Sequence, residues 1–187
     1  MSTPSLFTLK SLLATAAAIA LAATAAAQTK SVAKGPNLGQ PATAADIAAW
    51  DIDIPPSGRG LPSGSGTPSK GEAVYKQHCA SCHGPKGEGK PNDRLVGGQG
   101  SLPGDKPAIK TVGSYWPYAT TVFDYVRRSM PSHAPQSLAN DDVYAVTAYV
   151  LMLNNIIGPD DVMDAKSLPA VKMPNRDGFR SHYKAKK

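Results

Sequence analysis

Residues 77–84 read QHCASCHG and hold both cysteines of the chain, Cys79 and Cys82, with His83 directly after the second. Two thiols separated by two residues serve one of four chemistries: a short disulfide, a redox-active dithiol, half of a zinc site, or the attachment point of a c-type haem. Each chemistry needs different company, so the decision rests on the rest of the sequence.

The chain opens MSTPSLFTLKSLLATAAAIALAATAAAQTK: one cation, Lys10, then an uncharged Ala/Leu-rich run ending in Ala25, Ala26 and Ala27. This pattern predicts a secretory signal peptide over residues 1–27, cut before Gln28, and a periplasmic mature protein. Residues 28–187 suffice for one domain with a modest core. No later apolar run reaches the length of a bilayer span, so no membrane span is expected after cleavage. Export also places the two thiols in an oxidising compartment.

The formal charge of +6 suggests a nucleic-acid or membrane partner until it is divided along the chain. Residues 165–187 carry seven Lys/Arg against Asp177 alone, whereas residues 11–164 carry twelve Lys/Arg against thirteen Asp/Glu. The body is near neutral and the excess sits in one tail. That excludes a broad nucleic-acid footprint and leaves a local basic patch, or a solvated end at the final KAKK.

The pattern divides the mature chain into an extended arm (28–68), a helical core domain (69–157) and a basic tail (158–187). In the arm, TAADIAAWD predicts a short helix with Thr43 as its cap, Asp46 three residues on, and Ile47 and Trp50 on one side. Trp50 is expected to pack the arm onto the domain. PPSGRGLPSGSGTPS, residues 55–69, is too rich in Pro, Gly and Ser for a regular element. The first core helix follows in SKGEAVYKQHC, with Ser69 and Glu72 spaced as a capping box and Gly71 and Tyr75 on one face. A glycine inside a helix costs about 1 kcal/mol against alanine, so Gly71 predicts close approach of a second helix.

Residues 84–117 are loop, interrupted by glycines and by Pro85, Pro91, Pro103, Pro107 and Pro117; a loop this long in a compact domain is expected to wrap around something. YATTVFDYVRRSM then places Ala119, Val122, Phe123, Val126 and Met130 at helical spacing, with Pro131 as the stop. The last core helix is NDDVYAVTAYVLMLN: Asn140 is the expected cap, Val143, Val146, Val150 and Leu153 repeat on one face, and Gly158 and Pro159 end it. The tail to Lys187 reads as an extended segment lying on the domain. No strand pattern competes with the helices, so the fold class is all-α.

This company selects among the four chemistries. A zinc site needs two further ligands at metal spacing, and His133 and His182 stand apart. A thioredoxin-like dithiol expects a βαβ pattern, which is missing. A disulfide between Cys79 and Cys82 would be strained and would leave His83 unexplained. C-x-x-C-H on a helical turn, by contrast, brings residues i, i+3 and i+4 to one face. Cys79 and Cys82 can then attach one covalent haem c while His83 supplies the proximal nitrogen.

The sixth ligand sets the potential and decides whether the iron can bind a substrate. Met152 lies inside the last helix and reads as core packing, and Met163 and Met173 belong to the tail. Met130 ends a helix just before Pro131, so position favours it, and His133 is its rival.

With these features in place, the chain resembles a class I cytochrome c over residues 69–155. In that fold the helix ending at the haem motif crosses the C-terminal helix at a glycine/aromatic contact, and Gly71, Tyr75 and Tyr149 match it. Met130 precedes the last helix as the axial methionine of that family does. A narrower resemblance is carried by AAWDIDIPPSGRGLPSGSG, DRLVGGQGSL, TVGSYWPYATTVFDYVRRSMP, APQSLANDDVYAVTAYVLMLN and MPNRDGF. These segments are similar to the cytochrome subunit of sulfite or sulfur dehydrogenases, including the haem partner of a molybdenum-containing subunit in the Sox sulfur-oxidation system. Some members of that family carry two haem motifs, whereas this chain has one.

The resemblance implies an electron-transfer subunit, not an enzyme on its own. It would take electrons from a molybdenum-containing sulfite or sulfur dehydrogenase subunit and pass them to a downstream cytochrome c or oxidase. The alternatives are a free-standing electron shuttle and a haem enzyme or gas sensor with an open sixth position. Candidates for an apolar shell that raises the potential are Leu95, Val96, Val122, Phe123 and Val126. Arg94, Tyr115, Trp116 and Tyr118 are candidates to hydrogen-bond the haem propionates, and Arg127 and Arg128 to rim an exposed edge.

Overall fold

The computed structural model describes residues 35, 38–102 and 107–180. The expected signal peptide, Pro103, Gly104, His182 and the closing KAKK lie outside the described residues. The chain divides into two compact units, Met1–Ile47 and Ala48–Lys187.

The described helices are α1 (Ala44–Trp50), α2 (Pro68–His78), α3 (Ala80–His83), α4 (Ala119–Ser129) and α5 (Asn140–Leu153). A two-residue antiparallel pair, β1 (Ser65–Gly66) with β2 (Met163–Asp164), and a 3₁₀ turn at Leu168–Ala170 complete the regular structure. The all-α expectation therefore holds, with one short strand pairing that no residue pattern announced.

α1 starts as expected. Thr43 Oγ1 accepts from Asp46 N at 3.1 Å, and Asp46 Oδ2 accepts from Thr43 N at 2.9 Å, a reciprocal capping box. The Thr43 hydroxyl, which donates to Asp46 Oδ2 at 2.7 Å, and then the Thr43 N–H hold the Asp46 carboxyl below its usual pKa. Trp50 does not pack: it is 86% exposed, and α1 buries no residue. The first arm residue to enter the core is Ile54, which is 3% exposed and whose N–H donates to Asp124 Oδ1 at 2.8 Å.

The cap of α2 lies two residues before the expected one. Thr67 is the N-cap, its hydroxyl accepting from Lys70 N, and Pro68 takes the first helical position. Proline's fixed φ and missing N–H suit that position, so the helix starts there. Ser69 falls inside the first turn, and Glu72 reaches forward to Lys76 at 2.7 Å.

α2 and α5 cross where Gly71 meets Ala145. A β-carbon on Gly71 would lie 1.9 Å from the Ala145 carbonyl oxygen and 2.8 Å from Tyr149 Cβ. One turn on, the Tyr75 and Tyr149 rings pack with centroids 5.3 Å apart. Gly66 of β1 approaches the same point: a β-carbon there would lie 2.2 Å from Ala145 N. Glycine is needed at both positions because α5 backbone occupies the space of a side chain.

α5 is buried from Val143 through Leu151, beyond the single face that its valines predict. A helix packed from several sides is apolar all round, and here α2, α4, β1 and β2 all touch it. Its cap position is Ala139, with no side-chain cap bond. Asn140 is the first helical residue, and Asp141 Oδ1 accepts from Ser65 N at 2.8 Å, tying β1 to the helix start. The helix ends at Leu153, ahead of Gly158 and Pro159, because Asn155 turns the chain at φ 56°.

α4 buries Ala119, Val122 and Phe123, the Phe123 ring lying 4.4 Å from that of Tyr144. Tail residues then enter the same core: Met163, Leu168, Val171 and Met173 are all buried. The Asp164 carboxylate accepts from the N–H groups of Ser167 and Lys166, which lowers its pKa and fixes the turn after β2.

Replacing Gly71 with alanine is expected to push α2 off α5 and to cost about 2 kcal/mol or more, as overpacking of a tight contact does. Chemical denaturation measures it; a midpoint equal to that of the parent protein would contradict the contact.

Candidate functional site

The site begins at the break between α2 and α3. Cys79 leaves helical geometry at φ −123° and ψ −38°, and a single turn then carries Cys82 and His83. The N–H groups of Cys82 and His83 both donate to the Cys79 carbonyl, at 3.1 and 2.9 Å. Gly84, at φ 83°, ends the turn, and the Tyr75 hydroxyl donates to its carbonyl at 2.9 Å. The tyrosine of the α2–α5 crossing thus also holds the exit of the C-x-x-C-H turn. Burial first, and the neighbouring Cys79 second, push the Tyr75 phenol well above its usual pKa.

His83 Nδ1 lies 2.7 Å from the Asp93 carbonyl oxygen. A carbonyl only accepts, so Nδ1 carries the proton and Nε2 keeps its lone pair for a metal. The Cys79 thiol is pushed up to about 11, by burial first and by Cys82 second. Redox-active dithiols need the opposite shift, so that reading fails on electrostatics as well as on pattern. Among the described residues, no group of three or more His, Cys, Asp or Glu could hold a metal ion.

The turn faces a cavity of about 450 Å³. Cys79, Cys82, His83 and Met130 all line it, as does the rival His133. Met152, Met163 and Met173 do not, and the last two are buried in the core. Met130 is placed by the end of α4: it occupies the C-cap, its N–H donating to the Val126 carbonyl at 3.0 Å, and buried Pro131 follows.

Of the expected apolar shell, Leu95, Val122 and Val126 line the cavity, while Val96 and Phe123 do not. Val96 sits over Gly87, and Phe123 stacks on Tyr144. Arg94, Tyr115 and Trp116 line it, and Trp116 meets Tyr125 edge to face at 5.7 Å. Tyr118 does not; the Arg176 guanidinium lies 4.9 Å from its ring centre. Neither Arg127 nor Arg128 reaches the cavity. Arg128 Nε instead donates to Asp124 Oδ1 at 2.9 Å, the same carboxylate that accepts from Ile54 N.

Residue-type reasoning missed the group that shapes the loop wall. Asn154, 3% exposed, donates through Nδ2 to the carbonyls of Leu95 at 3.1 Å and Val150 at 2.9 Å. Its Oδ1 accepts from Gly97 N at 3.0 Å, and its backbone oxygen accepts from Gln99 Nε2 at 3.1 Å. Thr111 continues the hub, its hydroxyl donating to Gly97 O and accepting from the N–H groups of Gly113 and Ser114. The only local signal was a pair of asparagines at a helix end, and nothing in the pair distinguishes buried Asn154 from exposed Asn155.

A helical domain closed over a C-x-x-C-H turn and a largely apolar cavity has the architecture of a covalent haem protein. The cytochrome c family profile matches residues 68–154. A chain in the crystal structure of the sulfane dehydrogenase SoxCD from Paracoccus pantotrophus is 44% identical, with a TM-score of 0.71. The match covers 78% of this chain and 71% of that one. Comparison with curated protein sequences finds no match. The chain belongs to the class I c-type cytochromes, and its fold is that of an electron-transfer protein.

Asn154→Ala is expected to strand Gly97 N–H and the Leu95 carbonyl and to lower stability by about 2 kcal/mol. Amide exchange should accelerate across residues 95–99; unchanged exchange there would remove Asn154 as the hub of the loop wall.

Proposed function

We propose that this cytochrome is the electron-accepting subunit of a molybdenum-containing sulfite or sulfur dehydrogenase, working in the periplasm and delivering electrons to a downstream cytochrome c or oxidase. The observation that carries this reading is the 44% identity, over 78% of the chain, to a chain of the sulfane dehydrogenase SoxCD.

In this reading Cys79 and Cys82 would hold one haem c through thioether bonds, and His83 and Met130 would ligate its iron. The residues present fit the group. Both cysteines and Met130 border one cavity, His83 offers an unprotonated Nε2, and Leu95, Val122 and Val126 supply apolar wall. Haem c, when bound, supplies a one-electron ferrous/ferric couple, and His/Met ligation gives it a raised potential.

The protein's own part is to bind, orient and exclude water. The Asp93 carbonyl holds the His83 ring in one tautomer. The C-cap bond to Val126 holds the Met130 backbone at the cavity. The apolar walls keep bulk water from the site and disfavour the ferric charge. None of these residues has to give up or accept a proton as an electron passes.

Among the described residues no helix is long and apolar enough to cross a membrane. Export then rests on residues 1–27, and the secreted protein is expected to begin at Gln28. N-terminal sequencing of the periplasmic fraction tests this; a chain still carrying residues 1–27 would overturn it.

Two further outcomes test the site and the partner. The native protein is expected to be low-spin, with the weak red band of sulfur ligation, and Met130→Ala to abolish that band; a high-spin native spectrum would defeat the carrier reading. Sulfite is expected to reduce the haem only when the molybdenum subunit is present. Reduction without that subunit, or none with it, would defeat the dehydrogenase reading.

A further inference from the structure

One buried polar atom has no place in the hydrogen-bond scheme above. Thr147 is 0% exposed, and among the described residues its Oγ1 is the buried side-chain oxygen or nitrogen without a partner. A threonine inside a helix ordinarily returns its hydroxyl to the carbonyl one turn back. Thr147 makes no such bond, although α5 provides the carbonyl of Val143 at that spacing.

Thr147 also lines the cavity, on the wall that α5 presents there between Val146 and Val150. Both neighbours are buried and apolar. Valine has the shape of threonine without the hydroxyl, so packing alone would be served by a third valine. An unpaired hydroxyl in such a place calls for an explanation, since burying it unbonded is unfavourable.

We infer that the Thr147 hydroxyl is a cofactor contact: a rotatable dipole set in the apolar wall of the cavity, which lowers the reduction potential of the bound haem. The oxidised haem carries one more positive charge than the reduced form. A hydroxyl that is free of other partners can turn its oxygen toward that charge, and a methyl group cannot. An apolar wall raises the potential, and one polar atom in it pulls the potential back. Thr147 therefore sets the potential below the value that the valine-lined cavity alone would give.

The inference rests on haem c occupying this cavity, and the test separates the two claims. Holoprotein is prepared as wild type, Thr147→Val and Thr147→Ser, and each is titrated potentiometrically, with optical spectra confirming unchanged axial ligation. Thr147→Val is expected to shift the midpoint to more positive potential, and Thr147→Ser, which keeps the hydroxyl, to stay close to wild type. A Thr147→Val midpoint at or below wild type would overturn the inference while leaving the haem site standing. A serine variant that moves with the valine variant would assign the effect to shape and overturn it as well. A wild-type chain matured with the haem-attachment machinery yet carrying no covalent haem would remove both the site reading and the inference.

Discussion

The backbone of α5 at Ala145 is approached on two sides by residues that have no side chain. Gly71 comes from α2 and Gly66 from β1, and in each case a single β-carbon would overlap main-chain atoms of Ala145. Helix axes normally stand 8–10 Å apart, with side chains setting the gap; at Gly71 the two backbones touch instead. That contact fixes the height at which Tyr75 meets Tyr149, and with it the point from which the Tyr75 hydroxyl reaches the Gly84 carbonyl. The C-x-x-C-H turn lies between Tyr75 and Gly84, so its orientation follows from a packing contact made a full turn earlier. Chemistry at Cys79, Cys82 and His83 thus depends on a residue whose side chain is a hydrogen atom.

A second constraint comes from the long loop. The described residues of 84–117 contain little regular structure, yet Thr111 to Ser114 are buried, and buried backbone polar groups must find partners. The last residue of the α5 region answers part of that demand: Asn154 bonds a carbonyl and an N–H of the loop and also its own helix. The loop wall of the cavity is therefore referenced to α5, as the cysteine turn is through α2. Leu95, whose side chain borders the cavity, is held by its own carbonyl bond to Asn154 and by its N–H bond to Gly87 O at 2.9 Å.

Short-range signals in the sequence were readable in proportion to how local their physics is. The C-x-x-C-H turn, the α1 capping box and the Gly71 approach all depend on residues a few positions apart, or on one residue type with one structural use. The helix starts were less readable. Ser69–Glu72 has the right spacing for a cap, but Thr67 followed by Pro68 offers a better one two residues earlier. Asn140 is likewise not the cap: it is the first helical residue, and Ala139 before it caps with no side-chain bond. The Asp124 carboxylate, which joins Ile54 to Arg128, links residues 70 positions apart and leaves no local trace. Trp50 shows the reverse error: a large apolar ring predicts burial, but a seven-residue helix with no buried face offers nothing to bury it against.

The four methionines past residue 100 show what position adds to type. All four are equally able to coordinate iron, and composition cannot rank them. Met163 and Met173 fill core beneath the tail, where a flexible thioether packs irregular space, and Met152 is half-buried away from the cavity. Met130 alone borders the cavity that the cysteine turn borders, and it does so from a helix C-cap. An electron carrier works best when its ligands keep their places in both oxidation states, which requires donors fixed by bonds that the change of charge does not touch. If His83 and Met130 are the ligands, as proposed, the carbonyl bond on His83, the C-cap bond on Met130 and the Tyr75 bond across the cysteine turn are all of this kind. Each joins the site to backbone rather than to another titratable side chain, so the bonds that position these donors do not change with the charge at the site.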